Sequence, residues 1–318
     1  MSNERKKKTQ LLGALLLLLT AFIWGVAFVA QSVGMDSVEG FTFSGIRTLL
    51  GAIVLLPVVL FRNHKAKKPL DEIQLKAHKA TTKKTILYGM ILGVVFCAAG
   101  NFQQFAFNYT TSGKIAFITA MYMFFVPLIG IFLKKKTPAL TWLCVALGFI
   151  GMFFLCMNPN DMTGLNKGDL LAIICSIFFA VHILTIEKFA PGVDGIMLSC
   201  VQFFTGGAIS CVLMFIFEDP QIAAIKAAIV PILYAGVLSC GLAYTFQIIG
   251  QKYTEATVAS IIMSMESVFG ALAGALLLHE MLSGREIIGC IIMFVAIILS
   301  QLSEVLTSKM RAKKNAVG

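Results

Sequence analysis

ILYGMILGVVFCAAGNFQQFAFNYTTSGKI, residues 86–115, and ILYAGVLSCGLAYTFQIIGQKYTEATVA, residues 232–259, are two versions of one segment. Ile86-Leu87-Tyr88 matches Ile232-Leu233-Tyr234, and Phe102-Gln103 matches Phe246-Gln247. Seven residues beyond each Phe stands Tyr-Thr, at Tyr109-Thr110 and Tyr253-Thr254, and a gap of two residues separates the anchors. Ser44 and Gly51 correspond to Ser199 and Gly206 at one common offset, which also sets Trp24 against Phe179. Self-similarity at this period divides the chain into two like halves, 1–157 and 158–318.

The segments around the repeat are those of a membrane protein. Of the 318 residues 58% are hydrophobic and 13% charged, and the mean hydropathy is +0.86. That much apolar surface has no cover in a soluble fold. A soluble enzyme, a disordered tail and a secreted disulfide scaffold are therefore excluded. A helix needs about 20 apolar residues to cross the bilayer core. Ten runs of that kind are present, at 11–31, 41–61, 85–107, 114–133, 139–157, 168–187, 195–217, 229–249, 256–278 and 284–306. Five spans per half is an odd number, so the second half enters the membrane from the opposite side. The expected fold is an all-α polytopic protein of ten transmembrane helices in two inverted five-helix repeats, a ground plan of alternating-access carriers.

Charge sets the expected orientation. With the N-terminus inside, the inside loops and termini hold 21 Lys and Arg, and the outside loops hold 4: Lys114, Lys167, Lys226 and Arg285. The positive-inside rule places both termini in the cytoplasm and loops 158–167 and 218–228 outside. The net charge of +10 thus reads as topology. Base-edge and stacking modules for nucleic acid are absent, so no nucleic-acid partner is expected. The first span follows Arg5–Lys8 but is long and lacks an A-x-A site, so it reads as an uncleaved helix. The one long link, 62–84, carries Leu70, Ile73 and Leu75 in a Lys-rich stretch, a pattern for a short surface helix.

In this order the motifs resemble the drug/metabolite transporter superfamily, in its EamA-type branch. The resemblance rests on Trp24-Gly25 in the first span, Arg47-x-x-x-Gly51 in the second, and Gln103-Gln104 through Tyr109-Thr110-Thr111-Ser112. It continues with Phe125-Val126-Pro127-Leu128 in the fourth span. Glu266-Ser267-Val268 stands where the family often has Glu-Pro-Val, and His279-Glu280 where it often has Gly-Glu. The first departure takes away the proline that would kink the ninth helix. The resemblance covers nearly the whole chain. It implies ten helices around a central cavity, the fifth and tenth peripheral, and export or uptake of small metabolites across the cell membrane.

Polar groups inside apolar spans are the candidate solute-binding residues, since each costs free energy to insert. Glu266 lies near the middle of the ninth span between Ser264 and Ser267. It reads either as a partner for a cationic group or a proton, or as a helix–helix hydrogen bonder. Arg47 lies four residues outward of the centre of the second span, about 6 Å, where it serves as a carboxylate anchor or snorkels to the surface. Tyr122 occupies the position equivalent to Glu266, and with Trp24 and Tyr244 it either lines a cavity or packs. His182 has no acidic neighbour within a turn, and a lone histidine is more often structural. Asn101, Gln103 and Gln104 form a polar patch at the outer end of the third span, and Tyr244 and Gln247 stand at the inner end of the eighth. The repeat relates these two ends, so they are either gates at opposite mouths or interhelical hydrogen bonders.

The eight cysteines all fall in apolar runs without C-x-x-C pairing, so small packing residues are expected, with no metal and no cofactor. Gly89-x-x-x-Gly93 and Gly270-x-x-x-Gly274 permit close helix approach, within the chain by default or in a homodimer. No H-E-x-x-H, G-x-S-x-G or cluster of carboxylates occurs in a span, which disfavours a membrane-embedded enzyme. A channel lacks its ring of charge or filter segment. Without a P-loop, the expected activity is secondary transport of small organic solutes such as amino acids, as an exporter or facilitator. Membrane lipid is the second expected partner, and proton coupling through Glu266 is open. Uptake of amines or other nutrients is the alternative.

Overall fold

The computed structural model describes residues 3–65, 72–110, 112–135, 137–156, 166–277, 283–285 and 287–300. Thr111, Lys136, His279-Glu280, most of loop 158–167 and the basic cluster Lys309–Lys314 lie outside the described residues. Every regular element among the described residues is helical. In chain order they are α1 Asn3–Met35, α2 Gly40–Lys65, α3 Glu72–Ala106, α4 Ser112–Ala120, α5 Tyr122–Phe132, α6 Ala139–Cys156, α7 Lys167–Phe189 and α8 Gly195–Phe217. There follow α9 Ile222–Ala227, α10 Ile229–Leu233, a π-helical segment Tyr234–Ala243, α11 Tyr244–Gln251, α12 Ala256–Met263, α13 Glu266–Leu277 and α14 Ile287–Ser300.

Among the described residues, eight helical stretches are long and apolar enough to cross a membrane, α4–α5, α10–α11 and α12–α13 each counting as one. Within the described residues, the fifth and tenth apolar runs of the sequence are helical over Ala139–Cys156 and Ile287–Ser300. Large apolar side chains such as Phe132, Phe215 and Leu276 face outward, as a lipid solvent requires. Leu70 of the expected surface helix in link 62–84 lies outside the described residues, and Glu72–Lys84 belong to α3 and form no separate element. From Glu72 the chain winds directly into the span, because no Gly or Pro interrupts 72–88. At 35 residues, α3 runs about 52 Å and outreaches the hydrocarbon core.

Two spans are broken at matching places. The α4–α5 ladder tightens at Met121, where Met121 N–H bonds Ile118 O (3.2 Å) and Phe124 N–H bonds Met121 O (2.9 Å). Pro127 withholds a further donor from α5. The α12–α13 break comes without the proline. Met265 N–H bonds Ile262 O and Ser267 N–H bonds Ser264 O, both at 3.2 Å, while Ser264 Oγ back-bonds Ile261 O at 2.7 Å. Serine hydroxyls that compete for backbone carbonyls bend helices, so the kink survives the loss of proline. Tyr122 and Glu266 each begin the half-helix beyond a break.

The π-helical segment is the other departure from regular α-helix. It lies in the stretch where the second copy of the repeat is two residues shorter, so the same anchors are reached by a different winding. Its Cys240 abuts Gly51 of α2 so closely that a Cβ at 51 would lie 2.6 Å from Cys240 Cβ. Three glycines of the two small-residue stripes, Gly89, Gly93 and Gly270, pack within the chain. Gly89 and Gly93 seat α8, with Gln202 O 2.6 Å from a Cβ placed at 93, and Gly270 lies against Gly25. In all, α2 and α3 pack on α8, α3 also on α7, and α1 on α13.

Candidate functional site

Elements from both halves of the chain enclose one cavity. α1 gives it a single face, Trp24, Ala27, Phe28 and Gln31, at spacings of three, four and seven residues. Arg47 comes from α2, Gln103 from α3, Thr119 from α4, Tyr122 from α5, and Phe179 and Ile183 from α7. The π-helical segment adds Ser239, α11 adds Tyr244 and Gln247, and α13 adds Glu266. The space between them is about 20 Å³, room for one water or so. Among the described residues, α6 and α14 contribute no lining residue.

The two ionisable groups are held by neutral partners. Glu266 is 3% exposed, and its Oε1 accepts from Tyr122 Oη at 3.0 Å. Arg47 is 4% exposed, and its Nη1 donates to Gln31 Oε1 at 2.8 Å while the Phe43 ring lies 5.6 Å from its Cζ. No salt bridge joins either group to a partner of opposite charge among the described residues. Three more polar atoms on the lining residues, Trp24 Nε1, Arg47 Nε and Gln247 Oε1, have no hydrogen-bond partner in the protein. A buried polar atom without a partner costs about 1–3 kcal/mol. Two donors and one acceptor on the lining residues are thus buried without a partner among the described residues.

Aromatic rings close the cavity on one side. Trp24 and Tyr244 meet with centroids 4.4 Å apart, and Tyr244 in turn packs on Phe96 (4.9 Å) and Phe203 (5.7 Å). At the end of the bundle that carries Arg62, Lys135 and Lys252, polar contacts tie helix ends together. Arg62 pairs with Asp194 at 3.2 Å, Lys252 Nζ donates to Val193 O at 2.7 Å, and Lys135 pairs with Glu187, which also caps Ala256 N–H. Burial, opposed by Asp194 and reinforced by Arg62, holds the Lys252 ammonium below the usual lysine range. At the opposite end Glu218 accepts from Phe41 N–H, Thr42 N–H and Thr42 Oγ1, each at 2.7 Å.

Of the ten residues singled out by sequence, seven come together here: Trp24, Arg47, Gln103, Tyr122, Tyr244, Gln247 and Glu266. His182, Asn101 and Gln104, all buried, do not line the cavity. His182 is fully buried, with Nε2 2.9 Å from Gln202 Oε1, in a contact between α7 and α8. Asn101 donates to Cys97 O (2.8 Å) and Ser210 Oγ (2.9 Å), tying α3 to α8. Gln31, Thr119 and Ser239 were passed over in the sequence. Gln31 stands seven residues, two turns, beyond Trp24, and that spacing was the available signal.

The model of the EamA-like transporter family matches the chain twice, at residues 11–157 and 166–302. A transporter of Archaeoglobus fulgidus is 25% identical over 292 residues, covering 90% of this chain and 84% of the relative. The transporter YoaV of Bacillus subtilis is 23% identical over 284 residues, covering 87% of this chain and 92% of the relative. The inner membrane transporter YedA of Escherichia coli K12 is 25% identical over 189 residues, covering 59% of this chain and 56% of the relative. A solved crystal structure superimposes with a TM-score of 0.72 at 16% identity, covering 91% of this chain and 96% of the other, a likeness of fold.

Proposed function

Since the chain belongs to the EamA-like transporter family, and so is an integral membrane transporter, we propose that it is a secondary carrier for small organic metabolites. Amino acids and related amphipathic solutes are the foremost class, moved across the cell membrane by alternating access. One observation carries this reading. A buried cation, Arg47, and a buried carboxylate, Glu266, line one cavity, and each is held by a neutral group. A zwitterion presents the complementary pair of charges. Trp24, Tyr122, Tyr244, Gln103 and Gln247 supply the apolar walls and the neutral polar contacts around it. The role is transport and not catalysis. In this reading Glu266 also exchanges a proton.

The two halves, 1–157 and 158–318, act as inverted five-helix repeats, α6 and α14 being the fifth and tenth spans. The doubled family match and the paired breaks at Met121 and Ser264 support this. Discontinuous helices at corresponding places in two repeats are where such carriers bind their solutes. Helices of opposite halves, α2 with α8 and α1 with α13, cross closely, so one half can rock against the other.

Labelled amino acids, their amides and the corresponding amines, presented to proteoliposomes, test the function. Saturable exchange of amino acids is expected. A panel in which amines alone are carried would favour the second reading, uptake of amines. The Arg47–Gln31 bond supports that reading in so far as it spends Arg47 on structure.

Both termini are cytoplasmic in this scheme, on the charge bias of 21 to 4. A cysteine at Gln221, in the loop between α8 and α9, should react with an impermeant maleimide in intact cells, against a cysteine-free background. One at Ala66 should stay unlabelled. The reverse pattern would overturn the orientation.

A further inference from the structure

We propose that Gln31 is a positioning residue: it turns the Arg47 guanidinium into a side-on fork for the solute carboxylate and so sets a preference for acids over their amides. The proposal rests on the carboxylate-binding reading given above. Gln31 is 4% exposed and bonded at both ends of its amide. Its Nε2 donates to Ala27 O, one turn back on α1, at 3.2 Å, and its Oε1 accepts from Arg47 Nη1 at 2.8 Å. The alternative amide orientation would set two donors face to face at Arg47 and two acceptors face to face at Ala27. The network therefore fixes which end meets the guanidinium.

This bond uses one corner of Arg47. Nη1 is tied to Gln31, while Nε, buried, has no partner in the protein. In a guanidinium, Nε–H and one Nη2–H point the same way and form the side edge of the fork. That edge matches the two oxygens of a planar carboxylate. Phe43 beside Cζ restrains the plane, and Arg47 is one of the residues that line the cavity. The neutral charge of Gln31 matters as much as its geometry. A carboxylate at position 31 would hold Arg47 equally well and cancel its charge, whereas an amide orients the cation and leaves the charge for the solute.

The probes are labelled L-threonine and L-phenylalanine in proteoliposomes, each competed by the unlabelled acid and by its carboxamide. The readout is the ratio of the two inhibition constants at matched protein level. The wild type should prefer acid to amide by on the order of tenfold or more, the scale of one charge-assisted hydrogen bond. A wild type that carries neither acid, or does not prefer acid to amide, overturns the carboxylate reading itself, before any variant is made. Gln31→Met keeps the shape and removes both hydrogen bonds, and should lower the ratio about tenfold, chiefly through KM. Gln31→Glu should bring it to about one, since the new carboxylate occupies and neutralises Arg47. A folded Gln31→Met or Gln31→Glu that keeps the wild-type ratio overturns the role of Gln31 and leaves the carboxylate reading standing. If neither variant is stable, Gln31→Asn decides. It keeps the amide but is one methylene too short to reach Arg47 Nη1, so an unchanged ratio sinks the proposal and a lost ratio upholds it.

Discussion

Glu266→Gln should cut transport by roughly tenfold to a hundredfold, and flatten its pH dependence between about pH 5 and 8, while the protein still folds. The magnitude is that of a charge-assisted contact, about 1.5–3 kcal/mol. Folding should survive because glutamine keeps the shape and an acceptor for Tyr122 Oη, now 3.0 Å from the carboxylate. The loss should be large because nothing replaces the charge. The equivalent position in the first half is Tyr122, and among the described residues no other carboxylate lines the cavity. If Glu266 is only a structural hydrogen bonder, the variant will transport normally with the wild-type pH profile. Equal rates for the two proteins across that pH range, at matched protein level, would refute the assignment.

Gly25→Ala should destabilise the fold by about 1–3 kcal/mol, and Gly25→Val should abolish transport. α1 and α13 meet here with no room for a side chain. A Cβ at position 25 would lie 2.6 Å from Phe269 Cβ, 2.7 Å from Gly270 N and 2.8 Å from Glu266 O. Two of those three atoms are backbone, so the helices themselves must shift. The shift falls on the half-helix that begins with Glu266 and on the α1 face that carries Trp24 and Gln31. Transport should therefore fall further than stability alone accounts for. Gly113→Ala is the control, since nothing lies within 4 Å of a Cβ there. Melting temperature in detergent and initial rates in proteoliposomes read the two effects. A Gly25→Ala protein as stable and active as Gly113→Ala would show that the helices do not approach this closely.

The kink at Ser264 shows where local sequence reading reaches its limit. The sequence has Ser267 where the related pattern has proline, and proline is the strong local signal for a broken helix. Serine acts more weakly, through hydroxyls that compete for carbonyls, and whether they bend the helix depends on packing around it. The winding of Tyr234–Ala243 is a like case. The two-residue gap between the repeat copies marked the place, but the choice of π-turns belongs to the contact with Gly51 and Arg47 O, far away in the chain.

Hydropathy, charge and self-similarity are carried along the chain, and they alone determined that this protein lives in a membrane, where its apolar runs lie and which family it resembles. The same locality made Glu266, Arg47, Tyr122 and Trp24 legible, because a polar or amphipathic group inside an apolar run needs a reason wherever the helix packs. Only the tertiary structure decided which of these groups meet. Gln103 and Asn101 are two residues apart on α3, yet the first lines the cavity and the second ties α3 to α8. His182 turns to Gln202, while Ile183 beside it faces the cavity. Successive helical residues point about 100° apart. Which one faces the centre is fixed by how each helix is rotated about its own axis. That rotation is set by contacts such as Gly93 on α8 and Gly25 on α13, between residues far apart in the chain.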